Sequence, residues 1–137
     1  MEEETGEEMT LEGYEEKAEY FFDTYAIIEI LKNNLSYAIF AKESVSLTIF
    51  NLAEIYYQVL LGWGEEKAET IYNKYKRSLV EIDDETLKEA MKFRKELKKR
   101  DVSYTDSIGY IYAKRHNMKF LTGDKEFENL ENVEFVK

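Results

Sequence analysis

The sequence has no cysteine and no proline, a single histidine and a single glutamine. Without cysteine there is no disulfide framework, and with one histidine there is no ligand set for a structural zinc. No apolar run reaches the ~18 residues needed to cross a bilayer, and the start lacks the basic-then-apolar order of a signal peptide. These absences point to a soluble cytoplasmic protein with no membrane partner. Lys and Glu are abundant where proline and glutamine are lacking, a profile that leans toward thermophilic proteins. Basic residues are also in deficit, with 19 Lys and Arg against 29 Asp and Glu and a net charge of −10. Taken whole, that balance argues against a polyanionic partner. Its distribution weakens the argument, because residues 1–16, MEEETGEEMTLEGYEE, hold eight acids and no base, leaving residues 17–137 nearly neutral. The expectation is an acidic, solvated N-terminal tail over 1–16 and a single domain over 17–137, long enough to bury roughly two thirds of its unfolded surface.

Beyond the tail, apolar runs of strand and helix character alternate. Ala18 to Phe22 reads as a short aromatic strand ending at Asp23, and TYAIIEILK as a buried helix. A short helix over Tyr37 to Lys42 precedes a β-branched strand at Ser44 to Thr48. The helix from about Phe50 to Leu61 keeps Asn51, Glu54 and Gln58 on one face, and Gly62 and Gly64 end it, with Trp63 read as a packed anchor. A helix over 65–77, a strand at Leu79 to Ile82, a long helix to Arg100, a helix from SYTD to about Asn117, a strand at KFLT and a last one at Val133 to Val136 complete the order. This alternation predicts an α/β layer fold, with helices flanking a mainly parallel sheet of four or five strands.

Four carboxylates stand out, and each has a capping explanation. Asp23 sits where strand becomes helix, Ser103 and Asp106 fit a capping box, Asp124 in LTGDKEF precedes a short helix, and Glu54 has the look of an ordinary helix residue. Topology adds a second explanation. Ligands of an open parallel sheet bind beyond the carboxyl ends of its strands, where Asp23 and Asp124 are expected and where the first turns carrying Glu54 and Asp106 can reach. Four acids so gathered raise one another's pKa unless a divalent cation neutralises them, and an all-oxygen set favours Mg²⁺ or Mn²⁺.

At these residues the sequence resembles the PIN-domain family, and within it the short prokaryotic VapC-type toxins. FFDTYAIIEIL matches the family's opening strand, Asp and apolar helix; TIFNLAE supplies a Thr, Thr48, six residues before a helical Glu, Glu54; SYTDSIGYIYAKRHN supplies the Asp that opens a helix rich in small residues; and LTGDKEF supplies Thr122, Asp124 and Phe127. The likeness runs from about Ala18 to Val136. It departs from the family pattern at Gly109 and Tyr110, which follow Asp106 where D-A-x-I-A-A is usual. Gly109 and Ala113 put small groups on the Asp106 side of that helix, and Tyr104, Ile108, Ile111 and Tyr112 are expected on its buried side.

The resemblance implies a three-layer α/β/α fold and a metal-dependent endoribonuclease. Asp23, Glu54, Asp106 and Asp124 would hold Mg²⁺ or Mn²⁺, and Thr48 and Thr122 would hydrogen-bond those acids or their waters. It further implies an RNA substrate, a cognate antitoxin protein and a homodimer. On the helix ending at Arg100, Lys88, Lys92, Lys95 and Lys99 form a stripe opposite Leu87, Ala90, Met91, Phe93 and Leu97, which suits either phosphate contact or a solvated face. His116, near a helix end, fits a dipole partner or a surface residue better than a general base. The alternative within the family is an RNA-processing PIN nuclease, which would need no antitoxin. Three other classes fit less well. An inert PIN interaction module should lack one of the acids. Haloacid-dehalogenase phosphatases want D-x-D where this chain has DTY, and receiver domains want an early acidic pair and a late strand-end Lys.

Overall fold

Phe21 and Phe22 are both fully buried, in different cores. In the computed structural model, which describes residues 19–97 and 100–137, they belong to strand β1 (Tyr20–Phe22). This strand pairs in parallel with β2 (Lys119–Thr122), and β2 pairs in parallel with β3 (Val133–Phe135), in the order β1-β2-β3. The register sets Phe21 against Phe120 and Phe22 against Leu121. Because side chains alternate along a strand, Phe21 and Phe120 enter one core and Phe22 and Leu121 the other. A sheet covered on both faces accounts for strands that read as unbroken apolar runs.

Three helices cover the Phe22 face: α1 (Thr24–Leu31), α2 (Ile49–Trp63) and α3 (Glu65–Tyr75). They bury Ala26 and Ile27, Leu52, Ile55 and Val59, and Ala68 and Ile71, respectively. Two more, α4 (Asp84–Glu96) and α5 (Tyr104–Arg115), cover the Phe21 face with Ala90, Ile108, Ile111 and Ala113. The result is the expected α/β/α layering. Each fully buried large apolar side chain contributes about 1.5–3 kcal/mol, so the two cores, rather than helix propensity, hold the layers together.

The sheet is narrower than the sequence suggested. The strands expected at Ser44–Thr48 and Leu79–Ile82 shrink to one parallel bridge, Leu47 to Leu79. This bridge lies beside β1, since Phe22 N donates to Ser46 O at 2.9 Å. Leu47 is fully buried while Ser44 is exposed, so the first segment has one fully buried apolar side chain to anchor it. At Thr48 the backbone N–H turns away to the Asn51 side chain at 3.0 Å. The second segment leaves after Val80 to reach Asp83, which caps α4.

Local departures have similar causes. The segment expected as a helix from Tyr37 is a 3₁₀ helix, Leu35–Lys42, and α4 stops at Glu96 instead of running to Arg100. Gly62 stays inside α2, which ends at Gly64 with φ of 92°. Trp63 is 45% exposed and so is not the packed anchor expected. Residues 1–16, read as a tail, lie outside the described residues.

Gly109 explains how closely α5 approaches the sheet. A Cβ there would sit 2.6 Å from Cε1 of Phe21 and 3.2 Å from Cε1 of Phe120, so only glycine lets the helix rest on this aromatic pair. Ile108, Tyr110, Ile111 and Ala113 are buried with it. Tyr104 and Leu87, expected on buried helix sides, are instead 62% and 42% exposed. Tyr104 opens α5 ahead of the buried run that starts at Ser107, and on α4 the fully buried residues are Thr86 and Ala90 rather than Leu87.

Candidate active site

The carboxyl ends of β1 and β2 lie side by side, and the chain leaves both through an acid. Asp23 follows β1 directly and is only 2% exposed. Its Oδ1 accepts the N–H of Ala26 at 2.8 Å, capping α1. Asp124 follows β2 by two residues and caps a 3₁₀ turn, Lys125–Phe127, by accepting Glu126 N–H at 3.0 Å. Ser103 caps α5, its Oγ accepting the Asp106 N–H at 3.0 Å, and the Asp106 carboxylate accepts hydrogen bonds from Ser103 in return. Glu54, in the second turn of α2, accepts from the Thr24 hydroxyl at 2.6 Å. The capping accounts from sequence therefore hold for three of the four acids, and a cap fixes one carboxylate oxygen and with it the rotamer.

Those four acids line one open cavity of about 430 Å³, bordered also by Thr24, Tyr25, Ile28, Glu29, Lys32, Tyr57, Gln58 and Ser103. Their proximity shows in their protonation. Burial pushes the Asp23 carboxyl well above its ordinary 3.8; hydrogen bonds from Thr122 and Ala26 oppose this, and the charges of Asp106 and Asp124 add to it. Asp106 is raised to about 6, chiefly by burial, with Ser103 opposing and Asp124 and Glu54 adding. Like charges are thus held together at a cost that a bound cation would remove.

Among the described residues no three acids or histidines close on one point as a ready-made metal cage. The donor set is all oxygen, lines an open cavity and is partly committed to caps and to Thr24. That suits a hard ion that keeps several of its waters and takes one or two carboxylates directly, which is the habit of Mg²⁺. It does not suit a dehydrated ion that needs a full protein shell.

The remaining sequence candidates are placed as follows. Thr122 is fully buried; its hydroxyl hydrogen-bonds Asp23 and accepts the Asp124 N–H at 3.0 Å, so it ties the two strand-end acids together. Among the described residues Thr48 hydrogen-bonds no acid. It caps α2 through Asn51, whose Nδ2 donates to Thr24 Oγ1 at 3.1 Å, and Thr24 in turn donates to Glu54. Thr48 therefore acts on Glu54 through two intermediaries. Thr24 is the residue sequence reading passed over; its signal is a hydroxyl at the first helical position after a strand-end Asp. Lys88, Lys92 and Lys95 are exposed on α4 and none lines the cavity, while Lys99 lies outside the described residues. His116 is exposed at the opposite end of α5 from Asp106, its ring stacked on Tyr112 and bonded to the Tyr112 carbonyl at 2.9 Å.

Comparisons with known proteins agree with this architecture. No curated protein matches the chain in sequence. Among solved structures it resembles a toxin-antitoxin complex from Klebsiella pneumoniae, at 17% identity and a TM-score of 0.66, covering 86% of this chain and 96% of that one. VapBC2 from Rickettsia felis, bound to a promoter DNA fragment, is similar at 18% identity and TM-score 0.65, over 86% and 98%. VapC20 from Mycobacterium tuberculosis, a sarcin-ricin-loop-cleaving toxin, aligns at 14% identity and TM-score 0.71, over 86% and 99%. At such identities the likeness is one of fold. The family model for the PIN domain, however, matches residues 20–133 directly, and the chain belongs to the PIN-domain family.

Proposed function

We propose that this protein is a metal-dependent endoribonuclease, the toxin of a toxin-antitoxin pair. The observation that carries this is the convergence of Asp23, Glu54, Asp106 and Asp124, from four different elements, on one cavity at the carboxyl ends of parallel strands. Asp23, Asp106 and Asp124 would hold Mg²⁺ or Mn²⁺ directly or through water, and Glu54 would orient a water of its shell. When bound, the ion supplies a lowered water pKa and charge compensation at a phosphodiester. The chain's own part is positional. Caps at three acids and the Thr24 hydroxyl at Glu54 fix where each oxygen points before substrate arrives, and Thr122 sets the spacing of Asp23 and Asp124. No side chain needs to act as a nucleophile.

The toxin assignment draws on the similar structures, which include toxin-antitoxin complexes and a sarcin-ricin-loop-cleaving toxin. By that analogy an antitoxin would insert residues into the acidic cavity, and the toxin would form a homodimer. All four acids are present and gathered, which favours an enzyme over an inert binding module.

The test is cleavage of structured RNAs in Mg²⁺ or Mn²⁺, with a chelator and Asp23→Asn as controls. RNA cut only by the parent with metal supports the proposal. No cleavage, or cleavage that survives both controls, refutes it. A short DNA-binding protein encoded next to this gene would separate toxin from RNA-processing nuclease.

A further inference from the structure

Asp23 and Asp124 follow neighbouring parallel strands, and each cap orients its carboxylate only within its own helix or turn. Holding one acid relative to the other needs something more, because like charges gathered in one cavity press apart. Thr122 is one link between them. A second lies at the next residue, Gly123. A Cβ there would sit 2.2 Å from Cε1 of Tyr25 and 2.6 Å from the Val136 carbonyl oxygen. Among the described glycines only Gly64 has a positive φ, so position 123 needs glycine for room rather than for backbone freedom.

Tyr25 belongs to the first turn of α1, which Asp23 caps, and it lines the cavity. At 38% exposed, its ring is neither core nor free. It meets Gly123 and packs beside the buried Tyr37 ring, with centroids 6.3 Å apart. The surroundings of this contact are tied down: the Tyr37 hydroxyl donates to Val136 O, and Val136 N–H donates to Thr122 O at 2.9 Å. The ring therefore joins the helix that begins at Asp23 to the residue that precedes Asp124, and the segment leaving β3 braces both.

Resting on the metal-dependent nuclease reading, we propose that Tyr25 and Gly123 are positioning residues for the metal site, the ring seated on the glycine acting as a spacer that sets the separation of the Asp23 and Asp124 carboxylates. Tyr25 touches neither the ion nor the reacting atoms in this role; it acts through Asp124.

The experiment is titration of the full-length, metal-free protein with Mn²⁺, read by the electron paramagnetic resonance of the free ion. Loss of a residue that orients metal ligands typically costs about 10- to 100-fold in metal affinity, so Tyr25→Ala should weaken Mn²⁺ binding at least about tenfold with circular dichroism unchanged. Tyr25→Phe keeps the ring and should stay within about twofold. Gly123→Ala, which displaces the ring from the other side, should lose a factor similar to that of Tyr25→Ala, and the Tyr25 series stands whether or not that variant folds. A double-mutant cycle tells positioning from general loosening: with Asp124→Asn already present, Tyr25→Ala should cost less than about a further twofold. Tyr25→Ala binding Mn²⁺ like the parent, Phe falling with Ala, or the same loss with and without Asp124 would each overturn the spacer. The parent separates the two proposals. Mn²⁺ uptake and RNA cleavage by a parent whose Tyr25 variants are silent remove the spacer alone, whereas a parent that takes up no Mn²⁺ removes the metal-dependent reading and the spacer with it.

Discussion

Replacing Asp106 with Asn should make the metal-free protein more stable, because the folded chain holds that carboxylate at a cost. Burial, Asp124 and Glu54 together raise its pKa from 3.8 to about 6 despite the opposing bonds from Ser103. That displacement corresponds to about 3 kcal/mol against the folded state once the group is ionised. Below about pH 4 the carboxyl is protonated in both states and costs nothing. Between about 4 and 6 the folded form keeps a proton that the unfolded form has lost, so stability falls as pH rises. Above about 6 the full cost is present. The amide oxygen of Asn can still accept the Ser103 hydrogen bonds, so the capping box survives. In chelator at pH 7.5, Asp106→Asn should therefore exceed the parent by about 2–3 kcal/mol, and relief of Asp23, which Asp106 also pushes upward, adds in the same direction. Urea titrations would read this as a midpoint shift of about 1–2 M, closing as the pH drops toward 4. Added Mg²⁺ should then stabilise the parent and leave the variant nearly unmoved. A variant no more stable than the parent at pH 7.5, or a gap independent of pH, would refute the electrostatic account.

Other substitutions probe other links. Gly109→Ala drives a methyl into Phe21 and Phe120, and thermal melts should show a loss of about 1–3 kcal/mol. Thr24→Val removes the hydroxyl between Asn51 and Glu54; RNA cleavage should fall about 10- to 100-fold with the fold intact by circular dichroism. Because Lys88, Lys92 and Lys95 lie off the cavity, their combined change to Ala should leave the cleavage rate at saturating RNA unaltered. If the stripe contacts phosphates, the slope of log affinity against log salt should become shallower by about 0.7 per lost contact.

What could be read in advance follows from which interactions are local. The aromatic run before Asp23 and the capping box Ser103 to Asp106 involve neighbours a few residues apart, so spacing pointed to them, while Thr122 beside Asp124 was pointed to by the family resemblance. Layering was legible because β1 and β2 are apolar on both faces. The width of the sheet was not. Whether SVSLT extends as a strand depends on Thr48, whose backbone is claimed by Asn51, and β-propensity does not register that competition. Thr24 escaped notice because its partner Glu54 lies 30 residues away. Tyr104 was misplaced for a related reason: helical periodicity gives a side of α5 but not the residue at which its burial begins.

The caps at Asp23 and Asp124, and the capping box that Asp106 shares with Ser103, have a consequence for how this site can be lost. Asparagine caps a helix as well as aspartate does, so a single-base change from Asp to Asn at any of the three would spare the helix start while lifting the repulsion inside the cavity. Chemistry and foldedness are therefore separable in one step at three places. An inert descendant would be as well folded as its ancestor, or better. For the bench, Asn variants are the sound inactive controls for the proposed chemistry. Alanine would also remove a cap at Asp23 or Asp124, costing typically about 1 kcal/mol, or the return bond of the capping box at Asp106, and would confuse a missing ligand with a frayed helix.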